Sequence, residues 1–453
     1  MSFSTRLQAI RTGSLKERAT LNASWLLSSS VTTAGLTAVK ALILARFLGA
    51  AAYGELGVII ATVAVLNQLV DFRSIETIIK YVNLFVDKKE LGKATAVIKT
   101  TLLIDTTASL IAFALLMLAT PFIADTLNAA PQLLQLYGLT ILASIPTGIA
   151  KGLQSVRRRH DWVAWQEFAV AISQFVGTLV LLLLDYGLAE LVLLLVITEA
   201  GKGLVSGWFI YKSATALALP KWSEAPLSRL QNERQELTQL LLSTNLVGLL
   251  KGLQRNIDTL FVSYWLGPAV TGNYRLARNF ANMLNFPIAP LYQVAYTEFA
   301  KLWHRNRVRR LYRITRKLVA TSLVVAIGGI TAVWFVLPLI FNTIVGDSYT
   351  ETVTILRLLI IGAGVAIVTQ YGHALLIIMK KSREAAKAYT LGVAAQFIFL
   401  ITLTPLMGAT GAGIAYLMFA FIHGLTLFHA VWPQLKQGQQ ANEAPTTLSS
   451  ISS

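Results

Sequence analysis

Apolar runs of roughly twenty residues, separated by short polar or basic stretches, recur along the whole chain. Such a run crosses a bilayer as a helix, because only a helix satisfies its own backbone polar groups in hydrocarbon. The pattern predicts twelve helices, at about 22–47, 54–71, 99–124, 133–152, 164–185, 189–211, 238–265, 273–299, 318–344, 353–379, 386–407 and 411–432. Residues 1–21 read as a cytoplasmic N-terminal segment and 22–211 as a first lobe of helices 1–6. Residues 212–237 read as a cytoplasmic linker, 238–432 as a second lobe of helices 7–12, and 433–453 as a disordered cytoplasmic tail. Ser14-Leu15-Lys16-Glu17 has capping-box spacing, which predicts a helix start at that point. About twenty polar and basic residues precede the first apolar run and no A-x-A-like site closes it, so a cleavable signal is not expected.

Charge placement supports this topology. With the N-terminus in the cytoplasm, 31 of the 39 Lys and Arg fall in the N-terminal segment, the tail, or the loops after even-numbered helices, counting with those loops the bordering Lys99, Lys151 and Lys387. The stretch KLWHRNRVRRLYRITRK (301–317) is the densest. The opposite loops, LGAAAY, ADTLNAAPQ, DYGLAE, LGPAVTG, VGDSYTET and MGATG, carry none. Both termini are therefore expected in the cytoplasm. The stretch 301–317, with Trp303 and Tyr312, reads as juxtamembrane charge that meets anionic lipid, not nucleic acid.

One corner is written twice. ALILARFLGAAAYGELG (41–57) and FVSYWLGPAVTGNYRLA (261–277) align Leu48, Gly49, Ala51 and Gly54 with Leu266, Gly267, Ala269 and Gly272. The offset is 218 throughout (266 − 48, 272 − 54). Helices six apart run in the same direction, so the expected architecture is a parallel repeat of two pseudo-symmetric six-helix lobes. GLQSVRRRHDWVAW (152–165) and LIIMKKSREAAKAY (376–389) echo one another in the same sense, each an apolar helix passing a basic turn into the next helix.

Composition agrees with an all-α integral membrane protein: 55% of residues are hydrophobic and 13% charged, with a mean hydropathy of +0.61. The chain has no cysteine, which removes disulfides and thiolate chemistry. Its five histidines lack metal-ligand spacing, and no phosphate-loop, DxD or G-x-S-x-G motif occurs. No enzyme activity, cofactor or metal is expected.

Eight cations remain at membrane depth: Lys40, Arg46, Lys202, Lys251, Arg255, Arg275, Arg278 and Arg357. The clearest acids there are Asp105, Glu199 and Asp258. Charge at the bilayer centre costs about 2.5–3.5 kcal/mol or more and normally faces a partner or a water-filled cavity. Arg46 and Arg275 lie near helix ends, where they can snorkel, and Glu199 can pair with Lys202 one turn on. Lys251, Arg255 and Asp258 share one helix face. Lys251, Arg255, Arg278 and Arg357, with Lys40 and Arg46, are the candidates for a cationic cavity suited to phosphate; structural ion pairs are the other reading. The offset of 218 maps Lys40 onto Asp258, so these two are candidates for a gating or coupling pair formed in one state of a transport cycle.

The corners ILARFLGAAAYGELG and DTLFVSYWLGPAVTGNYRLARNF, with GATGAGIAYLMF at the last helix, resemble the Wzx-type polysaccharide flippases of the MOP exporter superfamily. Asp71-Phe72-Arg73 departs from the Asp-x-Gly usual there. The resemblance implies a MOP/MATE-like pair of six-helix bundles in the bacterial inner membrane that alternates between inward and outward openings. It implies an undecaprenyl-pyrophosphate-linked oligosaccharide as substrate for cell-surface polysaccharide (lipopolysaccharide) biosynthesis. Membrane lipids and a glycan polymerase or export machinery are the partners it suggests, with proton or sodium coupling left open. The alternatives are a multidrug/cation antiporter of the same superfamily, whose cavity should be acidic, and a membrane-embedded glycan polymerase or glycosyltransferase.

Overall fold

The computed structural model describes residues 15–70, 74–231, 233–286, 288–305, 307–335 and 350–441. These residues are helical with short connections, and no strand occurs among them. Among the described residues, eight helices are long and apolar enough to cross a membrane. Large apolar side chains such as Leu118, Phe122, Leu183, Leu204 and Leu406 stand exposed on the outside, as hydrocarbon solvent allows and water does not. This is a multi-pass membrane protein.

Contacts divide the chain into two units, Met1–Gly272 and Asn273–Ser453. The first begins with α1 (Leu15–Val70), starting where the capping-box spacing put it. α2 (Ser74–Thr77), a π turn (Ile78–Val82) and α3 (Asn83–Asp87) follow. Then come α4 (Leu91–Leu127), α5 (Pro131–Ala143), α6 (Ile145–Val156), α7 (His160–Leu183) and α8 (Leu188–Ala216). α9 (Arg234–Met283) crosses into the second unit, which continues with α10 (Ala289–His304), α11 (Val308–Phe335), α12 (Thr350–Ile378), α13 (Ser382–Met407) and α14 (Ala409–Ala441).

The repeated corner is a repeated bend. α1 breaks at Gly49 (φ 74°, ψ 169°) and α9 at Gly267 (φ 78°, ψ 178°), a conformation open to glycine and strained for any residue with a Cβ. Five residues on, Gly54 and Gly272 bring the two corners into backbone contact. A Cβ on Gly54 would lie 1.8 Å from the Pro268 carbonyl oxygen, and one on Gly272 would lie 2.0 Å from that of Ala50. Position 50 plus 218 is 268, so the two contacts are equivalent, as across a two-fold axis. The second echo is a repeated turn. The N–H groups of Arg158 and Arg159 donate to Ser155 O (3.0 Å) and Gln154 O (2.8 Å), and those of Lys380 and Lys381 donate to Ile377 O (3.0 Å) and Leu376 O (2.8 Å). Arg158 (φ 56°) and Lys380 (φ 60°) are both left-handed, giving two helix ends of the same Schellman type.

Several expected boundaries move; the helix expected at 273–299, for one, is broken between Met283 and Ala289. The stretch expected as a loop at 72–98 holds helix to Asp87, and α4 begins at Leu91 rather than 99. Ile78, Tyr81, Val82 and Phe85 explain it: spaced three and four apart, they bury one face among Ala94, Val97 and Ile98, although Lys80, Lys88 and Lys89 keep the mean hydropathy low. α11 likewise starts at Val308, inside the basic stretch, because Val308 and Leu311 are buried. The linker at 212–237 is docked. Ala225 and Leu230 are buried, Lys93 bonds Glu233 at 2.9 Å, and Lys80 bonds Glu236 at 2.9 Å. The bond from Lys80 holds the Glu236 carboxyl below its usual range. Finally, α14 runs to Ala441, past Pro433 and Gly438 and into the expected tail. Asp71-Phe72-Arg73 and the expected outer loop around Asp347 lie outside the described residues.

Candidate functional site: a polar cavity in the first unit

Within an apolar exterior, the first unit carries an open polar cavity of about 700 Å³. Its walls are polar stripes on otherwise apolar helices. α6 contributes Thr147, Gly148 and Lys151, and Ser144 precedes them, at the spacing of one helix face. α1 contributes Ala64, Asn67 and Gln68; α4 contributes Asp105 and Ser109; α8 contributes Glu199 and Lys202. α9 supplies Lys251, Gly252, Arg255 and Asn256. Gly252 passes close to α1, since a Cβ there would lie 2.0 Å from Gln68 Cγ. Ser74 and Glu76 of α2 complete the wall, with Ser74 Oγ donating a short hydrogen bond to the Asp105 carboxylate.

The charges are mixed. Lys151, Lys202, Lys251 and Arg255 face Glu76, Asp105 and Glu199. The lining thus carries an excess of one positive charge, with acids from α2, α4 and α8 among its four cations. Lys202 Nζ lies 3.2 Å from Glu199 Oε1, as the spacing anticipated, and Lys151 Nζ lies 2.6 Å from Glu167 Oε1. Arg255 is exposed to the cavity and has no ion pair among the described residues.

The sequence candidates separate. Lys251 and Arg255 line this cavity. Lys40 lies beside a second polar cavity of about 210 Å³, with Glu167, Gln174, Glu199 and Lys202, and donates to Gln174 Oε1 at 2.7 Å. Asp258 is fully buried, and its Oδ1 accepts from the Thr259 N–H at 2.8 Å. Arg46 is exposed just before the Gly49 bend and lines neither cavity. In the second unit, Arg278 is 6% exposed with its guanidinium carbon 3.6 Å from the centre of the Tyr416 ring. Arg357 lies over Trp334 at 4.6 Å. Both cations are thus held by aromatic faces, which stabilise a desolvated guanidinium without neutralising it.

Lys151, Glu76 and Glu167 were not among the candidates. Lys151 had been assigned to a cytoplasmic loop by its neighbours Arg157, Arg158 and Arg159. The missed signal was the stripe Ser144, Thr147, Gly148, Lys151, which repeats at three and four residues while Ile145, Ile149 and Leu153 carry the apolar positions.

Solved structures share this arrangement of apolar-faced helices around a polar cavity. An inward-facing multidrug resistance MATE family transporter of the MOP superfamily superposes with a TM-score of 0.70 at 12% identity, over 92% of this chain and 99% of that one. The lipid II flippase MurJ, in an inward closed conformation, gives a TM-score of 0.70 at 14% identity over 92% and 90%. A MOP superfamily transporter from Pyrococcus furiosus, described as having a binding pocket of reverse polarity, gives 0.62 at 11% identity over 92% and 96%. The chain therefore shares the fold of these transporters. No curated protein matches the chain. The polysaccharide biosynthesis protein family matches residues 19–303, well over half the chain, and the chain belongs to that family. This agrees with the resemblance carried by the two corners.

Proposed function

We propose that this protein moves a lipid-pyrophosphate-linked oligosaccharide from the cytoplasmic to the periplasmic leaflet of the bacterial inner membrane, by alternating access, for cell-surface polysaccharide biosynthesis. The observation that carries this reading is the cavity wall of α9, where Lys251 and Arg255 face a polar space of about 700 Å³ inside an apolar shell. A pyrophosphate head and its sugars cannot cross hydrocarbon, so they need a hydrated path with donors for phosphate, while the lipid tail stays in the bilayer. No bond is made or broken. Family membership and the MOP fold support the same class of activity.

The proposed topology counts twelve spans with both termini cytoplasmic, the bends at Gly49 and Gly267 each ending one span and starting the next. Reporter fusions within 305–316 are expected to behave as cytoplasmic, and a fusion at Asp347 as external. A cytoplasmic Asp347 would contradict the topology.

Glu76, Asp105 and Glu199 on the same cavity favour a second reading, the export of cationic drugs. The two readings separate in a strain lacking the protein. Glycan transport predicts that surface polysaccharide disappears, that lipid-linked oligosaccharide accumulates facing the cytoplasm, and that sensitivity to cationic drugs stays within about twofold. Intact surface glycan with drug sensitivity raised tenfold would instead establish the second reading.

A further inference from the structure

Lys151 and Lys202 on the large cavity are already held by carboxylates. Lys151 bonds Glu167 at 2.6 Å and Lys202 bonds Glu199 at 3.2 Å. Lys202 and Glu199 stand in the walls of both cavities, and Glu167 lines the smaller one. The acids are placed by packing between helices: Gln166, beside Glu167, donates to Lys202 O and Ser206 Oγ, both at 2.9 Å, and locks α7 to α8. An anion arriving in the large cavity thus finds Lys151 and Lys202 with a carboxylate already in place.

We propose that Glu167 and Glu199 are proton-accepting clasps: an anionic phosphate headgroup takes Lys151 and Lys202 from them, and the released carboxylates take up protons from water in the cavity. This rests on the anionic substrate of the proposed function and adds the ion that moves with its binding. The chemistry is an exchange of partners. Each lysine keeps its three protons and trades a carboxylate oxygen for a phosphate oxygen. Each carboxylate loses its counter-charge and gains a nearby negative phosphate, and both changes raise its affinity for a proton.

The groups around the two acids leave this outcome in place. α1 presents Lys40, which lines the smaller cavity and donates to Gln174. α6 presents Lys151 and α8 presents Lys202, the two cations the anion would engage. α5 carries no charged residue. Across the large cavity stand Glu76, Asp105, Lys251 and Arg255, of which Asp105 accepts from Ser74. Proton binding and anion binding therefore favour one another, and by reciprocity the anion binds more tightly as pH falls.

The test is calorimetry on the full chain in lipid nanodiscs, with P1,P2-dimethyl pyrophosphate as the probe. Both acids of this diester are strong, so any proton taken up goes onto the protein. Titration at pH 6.5 in buffers of different ionisation enthalpy counts the protons. The expected result is an uptake of about one proton or more per probe for the wild type. Glu167→Gln and Glu199→Gln are each expected to reduce it, and the double variant to abolish it while binding the probe about tenfold more tightly at pH 7.5. Wild-type binding without proton uptake, or uptake unchanged in the double variant, would overturn the clasp alone. Absence of probe binding at every pH in wild type and variants alike would overturn the anionic substrate as well.

Discussion

Replacing Gly54 or Gly272 by alanine is expected to cut glycan export at least tenfold, with the two substitutions equal in effect. Each new Cβ would fall 1.8–2.0 Å from a backbone carbonyl oxygen, far inside contact distance, and a backbone atom cannot rotate away as a side-chain tip can. Overpacking a well-fitted contact typically costs about 1–3 kcal/mol. Here that cost falls only on states in which the two corners touch. A bias of about 1.4 kcal/mol shifts a two-state equilibrium tenfold, so either alanine would deplete the state seen here and stall a cycle that must return to it. The equality of the two effects follows from the reciprocal geometry, Gly54 on Pro268 and Gly272 on Ala50. The check is surface glycan at matched expression. Normal export by either variant would show that the corner contact is not part of the cycle.

The second large effect is expected at the cavity. Lys251 and Arg255 sit one turn apart on α9, and Arg255 has no ion pair among the described residues. Hydrogen bonds to charged groups contribute about 1.5–3 kcal/mol each. Losing two of them, in Lys251→Gln with Arg255→Gln, is expected to lower transport more than about a hundredfold while membrane insertion and melting temperature stay near wild type. Glutamine keeps the length and polarity of the wall, so the substitution tests charge rather than packing.

Much of the fold was legible in the sequence, and the residues show why. Gly49 and Gly267 were readable because only glycine suits their bends, and the offset of 218 held them in register with Gly54 and Gly272. The basic turns at Arg158 and Lys380 were readable as echoes for a similar reason, since helix ends constrain both backbone and charge. The stretch 74–87 was not, because its buried face is amphipathic and a mean over twenty residues dilutes it. The site was legible in part. Lys251 and Arg255 stood out as cations deep in an apolar run. Lys151 did not, because three arginines after it gave a complete and different account of its charge. The pairing of Lys151 with Glu167 depends on the packing of α6 against α7, which no spacing along one helix encodes. Arg278 and Arg357 stood out as charges in apolar runs, but their aromatic partners Tyr416 and Trp334 lie far away in sequence.

Under the proposed function, this cavity carries the pyrophosphate head of a lipid-linked glycan across the membrane. The most direct measurement reconstitutes the purified protein in liposomes containing a fluorescent lipid-pyrophosphate oligosaccharide and follows its arrival in the opposite leaflet by impermeant quenching. Wild-type protein is predicted to move the lipid well above the protein-free rate, and the Lys251→Gln, Arg255→Gln double variant to fall to that rate. Movement by the double variant at the wild-type rate, or none by wild-type protein under any imposed ion gradient, would contradict it.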